Sequence, residues 1–144
     1  MSELLRRKIV IISDYVNPKE YSNQELDDEN IFIDTIKREI NAHGVPVDYI
    51  EVKDSNDLKN SLKKFKPNEV VIFNWCEFLE EKENTANLVT SFLKESGFIF
   101  TGADSQCLLL TDSKEKTKKV LLEHRIFTPN YAVISSSIDV SKIA

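Results

Sequence analysis

Apolar residues fall along this chain in two alternating rhythms. Ile9-Val10-Ile11-Ile12 is an unbroken apolar run, which predicts a strand buried on both faces of a parallel sheet. A long polar loop from Ser13 to about Glu25 follows, without a glycine. Leu26, Phe32, Ile33, Ile36 and Ile40 then recur at helical spacing, with Asp27, Asp28 and Glu29 early and Lys37 and Arg38 late, complementing the helix dipole. Gly44 is the expected stop. Val45 to Val52 alternates as a second strand, and Asp54 or Ser55 caps a helix whose Leu58, Leu62 and Phe65 share a face before Pro67 ends it.

Glu69 to Phe73 is a third apolar strand that runs out into Asn74-Trp75-Cys76-Glu77. A second polar loop, Glu80 to Asn84, leads to a helix with Leu88, Val89, Phe92 and Leu93 inward, closed by Gly97. Phe98 to Phe100 is a fourth strand. Strand, helix and strand in repetition predict right-handed βαβ units: an α/β, three-layer Rossmann-like domain with a four-stranded, mainly parallel sheet. The rhythm then changes. Ser105 to Leu110 forms a short helix, Asp112 and Glu115 form a capping box for a lysine-rich helix reaching about His124, and Tyr131 to Ile134 begins a new strand. The expected division is one domain over 1–126 and the start of another over 127–144.

Composition narrows the function classes. Nineteen Lys and Arg against twenty-four Asp and Glu give a net charge of -5, which disfavours general nucleic-acid binding. No segment is apolar over the ~18 residues of a membrane span, and the apolar run at Ile9 to Ile12 is shorter than a signal-peptide core. A cytoplasmic protein is expected, without nucleic-acid or membrane partners. Cys76 and Cys107 have no CxxC spacing, and both are expected to be small buried apolar groups rather than a disulfide or zinc site. His43 and His124 stand at helix ends, where they complement the dipole, so no metal site is expected. Three glycines, Gly44, Gly97 and Gly102, cannot supply a dinucleotide fingerprint or a P-loop. A phosphoacceptor receiver would keep an aspartate where strand three ends in Asn74.

Four short motifs carry a resemblance. Asn74-Trp75-Cys76-Glu77, Phe100-Thr101-Gly102-Ala103-Asp104, Lys114-Glu115-Lys116-Thr117-Lys118 and Thr128-Pro129-Asn130-Tyr131 follow one another over some 60 residues. In order and spacing they resemble the FN-x-x-E, YTG[SA], DK-x-x-TK and G-[IV]-x-TP-x-[FY] motifs of D-alanine-D-alanine ligase-like ATP-grasp proteins. The resemblance implies an N-terminal (pre-ATP-grasp) domain forming one wall of a ligase site. There ATP phosphorylates a carboxylate, and an amine, an amino acid or peptide, attacks the acyl phosphate.

It further implies that Lys114 or Lys118 contacts ATP phosphates, the two standing open because Ser113 is inserted between Asp112 and Lys114. Asn74, Glu77, Thr101 and Gly102 match positions that face the substrate cleft. No catalytic residue is assigned. ATP and Mg²⁺ belong to the complete enzyme, whose remaining domains are expected beyond Ala144, so the chain alone is expected to be inactive and to bind neither tightly. No GG-x-S-x-E loop stands between Ser13 and Asn30, which speaks against D-alanine as substrate. A homodimer is the implied assembly. The alternative is a stand-alone flavodoxin-like binding or interaction module without catalysis.

Overall fold

A computed structural model describes residues 7–19, 21–79 and 85–134. The expected loop Glu80 to Asn84, the residues 1–6 ahead of the first strand and 135–144 lie outside the described residues. The elements run β1 (Lys8–Asp14), α1 (Asn23–Ala42), β2 (Val47–Val52), α2 (Ser55–Leu62), β3 (Val70–Trp75), α3 (Ala86–Glu95), β4 (Ile99–Phe100), α4 (Ser105–Thr111) and α5 (Lys114–Glu123). Cα proximities divide the chain into two compact units, Met1–Gln106 and Cys107–Ala144.

In the first unit the four strands form one parallel sheet in the order β2-β1-β3-β4. The protein is thus α/β with the three-layer Rossmann-like arrangement. The chain leaves β1 for β2 on one side and then crosses to β3 on the other, so the switch in winding direction lies between β1 and β3. Register decides which side chains share a face. Val10 and Ile12 stand beside Asp48 and Ile50 on one flank and beside Ile72 and Asn74 on the other. This face is the main core: Val10, Ile12, Val52 and Ile72 bury against Leu58 and Leu62 of α2 and Val89 and Leu93 of α3. The opposite face carries Ile11, Tyr49 and Phe73 in register. There α1 lies over the sheet, bringing the Phe32 ring 4.5 Å from Trp75 and Lys37 Nζ 5.7 Å from the Tyr49 ring.

Local chemistry explains the element ends. Ser22 caps α1 in a full capping box, its hydroxyl accepting from the Glu25 N–H while the Glu25 carboxylate accepts from the Ser22 N–H. The Ser22 N–H and the Ser22 hydroxyl, both donating to the Glu25 carboxylate, hold it below the usual carboxylate range. The helix runs on to Ala42, so Lys37 and Arg38 fall short of the last turn and do not serve the C-terminal dipole as expected. Asp54 caps α2 by accepting from Asn56 and Asp57, and α2 closes at Leu62, a turn earlier than Pro67. After α3 the Gly97 N–H reaches Lys94 O and the Phe98 N–H reaches Leu93 O, a Schellman stop in which Gly97 takes φ 77°.

In the second unit no described residue is buried. The expected capping box at Asp112 does not form: Ser113 is the N-cap of α5, its hydroxyl accepts from the Lys116 N–H, and Lys116 at the third helical position cannot complete a box. His124 closes α5, its ring Nδ1 2.9 Å from Val120 O, in keeping with its expected place at a helix end. The expected strand at Tyr131 to Ile134 does not form among the described residues, and Tyr131 to Ile134 are exposed. Cys107 is exposed rather than buried, because α4 contributes no side chain to a core.

Candidate functional site

Open parallel sheets place their sites at the carboxyl ends of the strands, where the winding direction switches. Here that place is the end of β1 and the exit from β3. Asp14, the last residue of β1, accepts the Glu77 N–H at 3.1 Å and so ties the Trp75 to Phe78 exit to the neighbouring strand. Asn74 turns the same segment by accepting the Cys76 N–H at 3.3 Å. Thr101, just past β4, takes the Asn74 N–H on its hydroxyl at 3.1 Å. Asn74, Glu77 and Thr101 therefore meet on one rim, although they are up to 27 residues apart in sequence. Gly102 follows with φ 96°, a left-handed turn that a side chain would strain.

The exposed faces on this rim are aromatic and acidic. Trp75 is 40% exposed, and its indole N–H donates to Glu29 Oε1 at 3.2 Å. Tyr49 donates to Glu51 Oε1 at 3.2 Å and shares a 2.8 Å hydrogen bond with the Ser13 hydroxyl. Burial pushes the Tyr49 phenol up to about 12, and the charges of Glu51 and Glu29 act in the same direction. Among the described residues, Asp14, Glu29, Glu51 and Glu77 have no basic ion-pair partner. Trp75, Glu29 and Glu51 escape sequence reasoning, because a lone tryptophan and scattered acids carry no spacing signal until strand register sets them side by side.

Cys76 is no nucleophile. It is buried, its thiol donates to Phe78 O, and burial together with the nearby Asp14 charge pushes it up to about 12. Among the described residues no group of three or more potential ligands could hold a metal ion, and no helix is long and apolar enough to cross a membrane.

The two candidate lysines of the second unit differ. Lys118 spends its ammonium on Thr128 Oγ1 and Pro129 O, both at 2.9 Å, and sits 5.3 Å from the Tyr131 ring centroid. It holds the Thr128-Pro129 exit in place. Lys114 is exposed and engages no described residue through its ammonium. The Lys114 ammonium is thus open to solvent, whereas the carboxylates of the β1/β3 rim disfavour anions. Arg125 adds a backbone clue. It takes φ 60° directly after the C-cap of α5, with Arg125 N–H on Leu122 O and Ile126 N–H on Leu121 O. That is a Schellman motif with arginine where glycine is usual.

Comparisons with protein-family models, with curated proteins and with solved structures find no match to this chain.

Proposed function

We propose that this chain is the N-terminal domain of a cytoplasmic ATP-dependent carboxylate-amine ligase similar to the D-alanine-D-alanine ligase-like ATP-grasp enzymes. The observation that carries the reading is the β1/β3 rim. Asn74, Glu77 and Thr101, which come from two separate motifs of the resemblance, are hydrogen-bonded into one edge of the sheet's natural binding crevice. A second support comes from Arg125. It stands where the G-[IV]-x-TP motif has its glycine, and its left-handed backbone is the conformation that a glycine there would serve.

In this reading the rim faces the carboxylate and amine substrates. Lys114 offsets the charge that develops on the transferring phosphoryl group, the ammonium acting as a point charge. Lys118 is a positioning residue that fixes the Thr128-Pro129 exit. When bound, ATP supplies the phosphoryl group that activates the carboxylate, and Mg²⁺ is held by other parts of the enzyme. A homodimer of small-molecule ligase subunits is the assembly that goes with it.

The test is turnover by the full-length gene product. Release of ADP and phosphate that depends on both an amine and a carboxylate is expected, and Lys114→Ala should raise the KM for ATP or lower kcat. Absence of such turnover, or unchanged kinetics in Lys114→Ala, would overturn the proposal.

One observation favours a second reading. The order β2-β1-β3-β4 is also that of flavodoxin-like sheets, whose ligand sits at the same switch point without any catalytic partner domain. A specific ligand bound by residues 1–144 alone, with no ATP turnover, would favour that module.

A further inference from the structure

The carboxyl-end rim carries one row of side chains in strand register. Glu51 of β2, Ser13 of β1 and Trp75 of β3 are neighbours across three strands on the face beneath α1. Helix α1 adds Glu29 and Phe32 to this row. The indole of Trp75 lies 4.5 Å from the Phe32 ring and 6.4 Å from the Phe73 ring, so three aromatic rings form a continuous wall. Its single N–H is already spent on Glu29. With its N–H spent and the Phe32 ring packed against it, the exposed part of the indole offers a ligand only aromatic surface, which suits cations and flat groups.

Charge points the same way. Glu29 uses Oε1 on the indole and Glu51 uses Oε1 on the Tyr49 hydroxyl, which leaves the second oxygen of each without a partner among the described residues. Lys37 and Lys53 lie 5.7 Å and 5.5 Å from the Tyr49 and Tyr15 rings, and Lys37 pairs with Asp34 rather than with Glu29 or Glu51. An anionic ligand would face Glu29 and Glu51 of this row. A compact ammonium is strongly hydrated and gains little from a flat wall. A guanidinium is planar, weakly hydrated, stacks on aromatic faces and presents a fork to a carboxylate.

We infer that this row binds a guanidinium group, stacked on Trp75 and paired with Glu29, carried by an amino acid or peptide. Its role as substrate rests on the ligase reading above, whereas the binding itself rests on the rim alone. Trp75 is the only tryptophan of the chain, so its fluorescence reports on this row without a label.

The experiment titrates the 144-residue chain with argininamide, lysinamide and citrullinamide, the last an uncharged near-isostere of the first. Argininamide should change the emission saturably with a dissociation constant of roughly 1 mM, as suits one exposed stacked ion pair. Lysinamide and citrullinamide should each bind about fivefold more weakly or less. Glu29→Gln, which keeps an oxygen for the indole N–H, should weaken argininamide by about fivefold. Glu39→Gln, whose carboxylate pairs with Arg38 elsewhere on α1, should leave it unchanged and so separates the site from bulk charge.

No saturable response to argininamide, equal binding of citrullinamide, or full binding by Glu29→Gln would each overturn the inference. Any of these together with normal amine-dependent ADP release would remove the guanidinium site and leave the ligase reading standing. Argininamide binding without ATP turnover would do the reverse.

Discussion

Removing the Asp14 carboxylate should loosen one loop and leave the fold intact. Its Oδ1 accepts the Glu77 N–H at 3.1 Å across 63 positions of sequence and so ties the end of β1 to the exit from β3. A carboxylate accepting from an amide in a partly exposed setting contributes about 1–1.5 kcal/mol. Asp14→Ala should therefore speed amide exchange at Glu77 about tenfold. Leu93, fully buried in α3, should exchange at the parental rate. Asp14→Asn keeps an acceptor and should lose about half of the effect. The same charge helps to hold up the Cys76 thiol, after burial. In Asp14→Asn the thiol should thus titrate lower than its parental value of about 12, yet above an ordinary cysteine, because burial remains. Exchange measured by NMR at the two amides, with thiol alkylation followed against pH, decides the matter. Unchanged exchange at Glu77, or equal acceleration at Glu77 and Leu93, would refute the local tie.

Three further outcomes follow from single sites. Under native conditions a disulfide reagent should titrate Cys107, which is exposed, and reach Cys76 only after denaturation; rapid modification of both would contradict the packed thiol. Tyr49 has a folded-state pKa raised from 10.0 to about 12, so its contribution is complete below pH 10 and is lost as pH rises from about 10 towards 12. For a half-buried, solvent-screened phenol this amounts to about 1 kcal/mol, and urea melts of Tyr49→Phe should lack that alkaline decline. Arg125→Gly should relieve the left-handed backbone at φ 60° and raise stability by about 0.5–1 kcal/mol in denaturant melts, with a fall pointing to a contact made by the arginine side chain.

The strands and the first three helices were legible because their burial is periodic. Ile9 to Ile12 reads as a doubly buried strand, and the structure shows Val10, Ile11 and Ile12 without exposed surface. Leu58, Leu62, Val89 and Leu93 stand on the inner helix faces that their spacing assigns. Boundaries were less legible, since they are set by side-chain caps of one residue's reach. Ser113 competes with Asp112 for the start of α5, and only the hydroxyl's bond to Lys116 decides. Tyr131 to Ile134 has the composition of a strand, but a strand requires a neighbour to pair with, and periodicity cannot supply one. Cys107 misled for a similar reason: apolar chemistry predicts burial only where a core exists, and no residue of α4 is buried.

The candidate rim was half legible. The motifs single out Asn74, Glu77, Thr101 and Gly102, and hydrogen bonds bring the first three together, which leaves their role to the tests above. The pairing of Glu29 with Trp75 was not, since it spans 46 positions and depends on how α1 lies over β3. Lys114 and Lys118 look alike in sequence. They are told apart by Thr128, Pro129 and Tyr131, which engage Lys118 alone.

The central claim is that ligands meet this domain at the carboxyl ends of β1 and β3. Its most direct test is amide chemical-shift mapping of the 144-residue chain during titration with amino acids, arginine included. The account predicts that the shifted amides cluster at Asp14 and Tyr15, at Trp75 to Glu77 and at Thr101. Shifts confined to the groove at the opposite end of the sheet, lined by Lys8, Pro46, Lys64, Phe65 and Glu69, would contradict it.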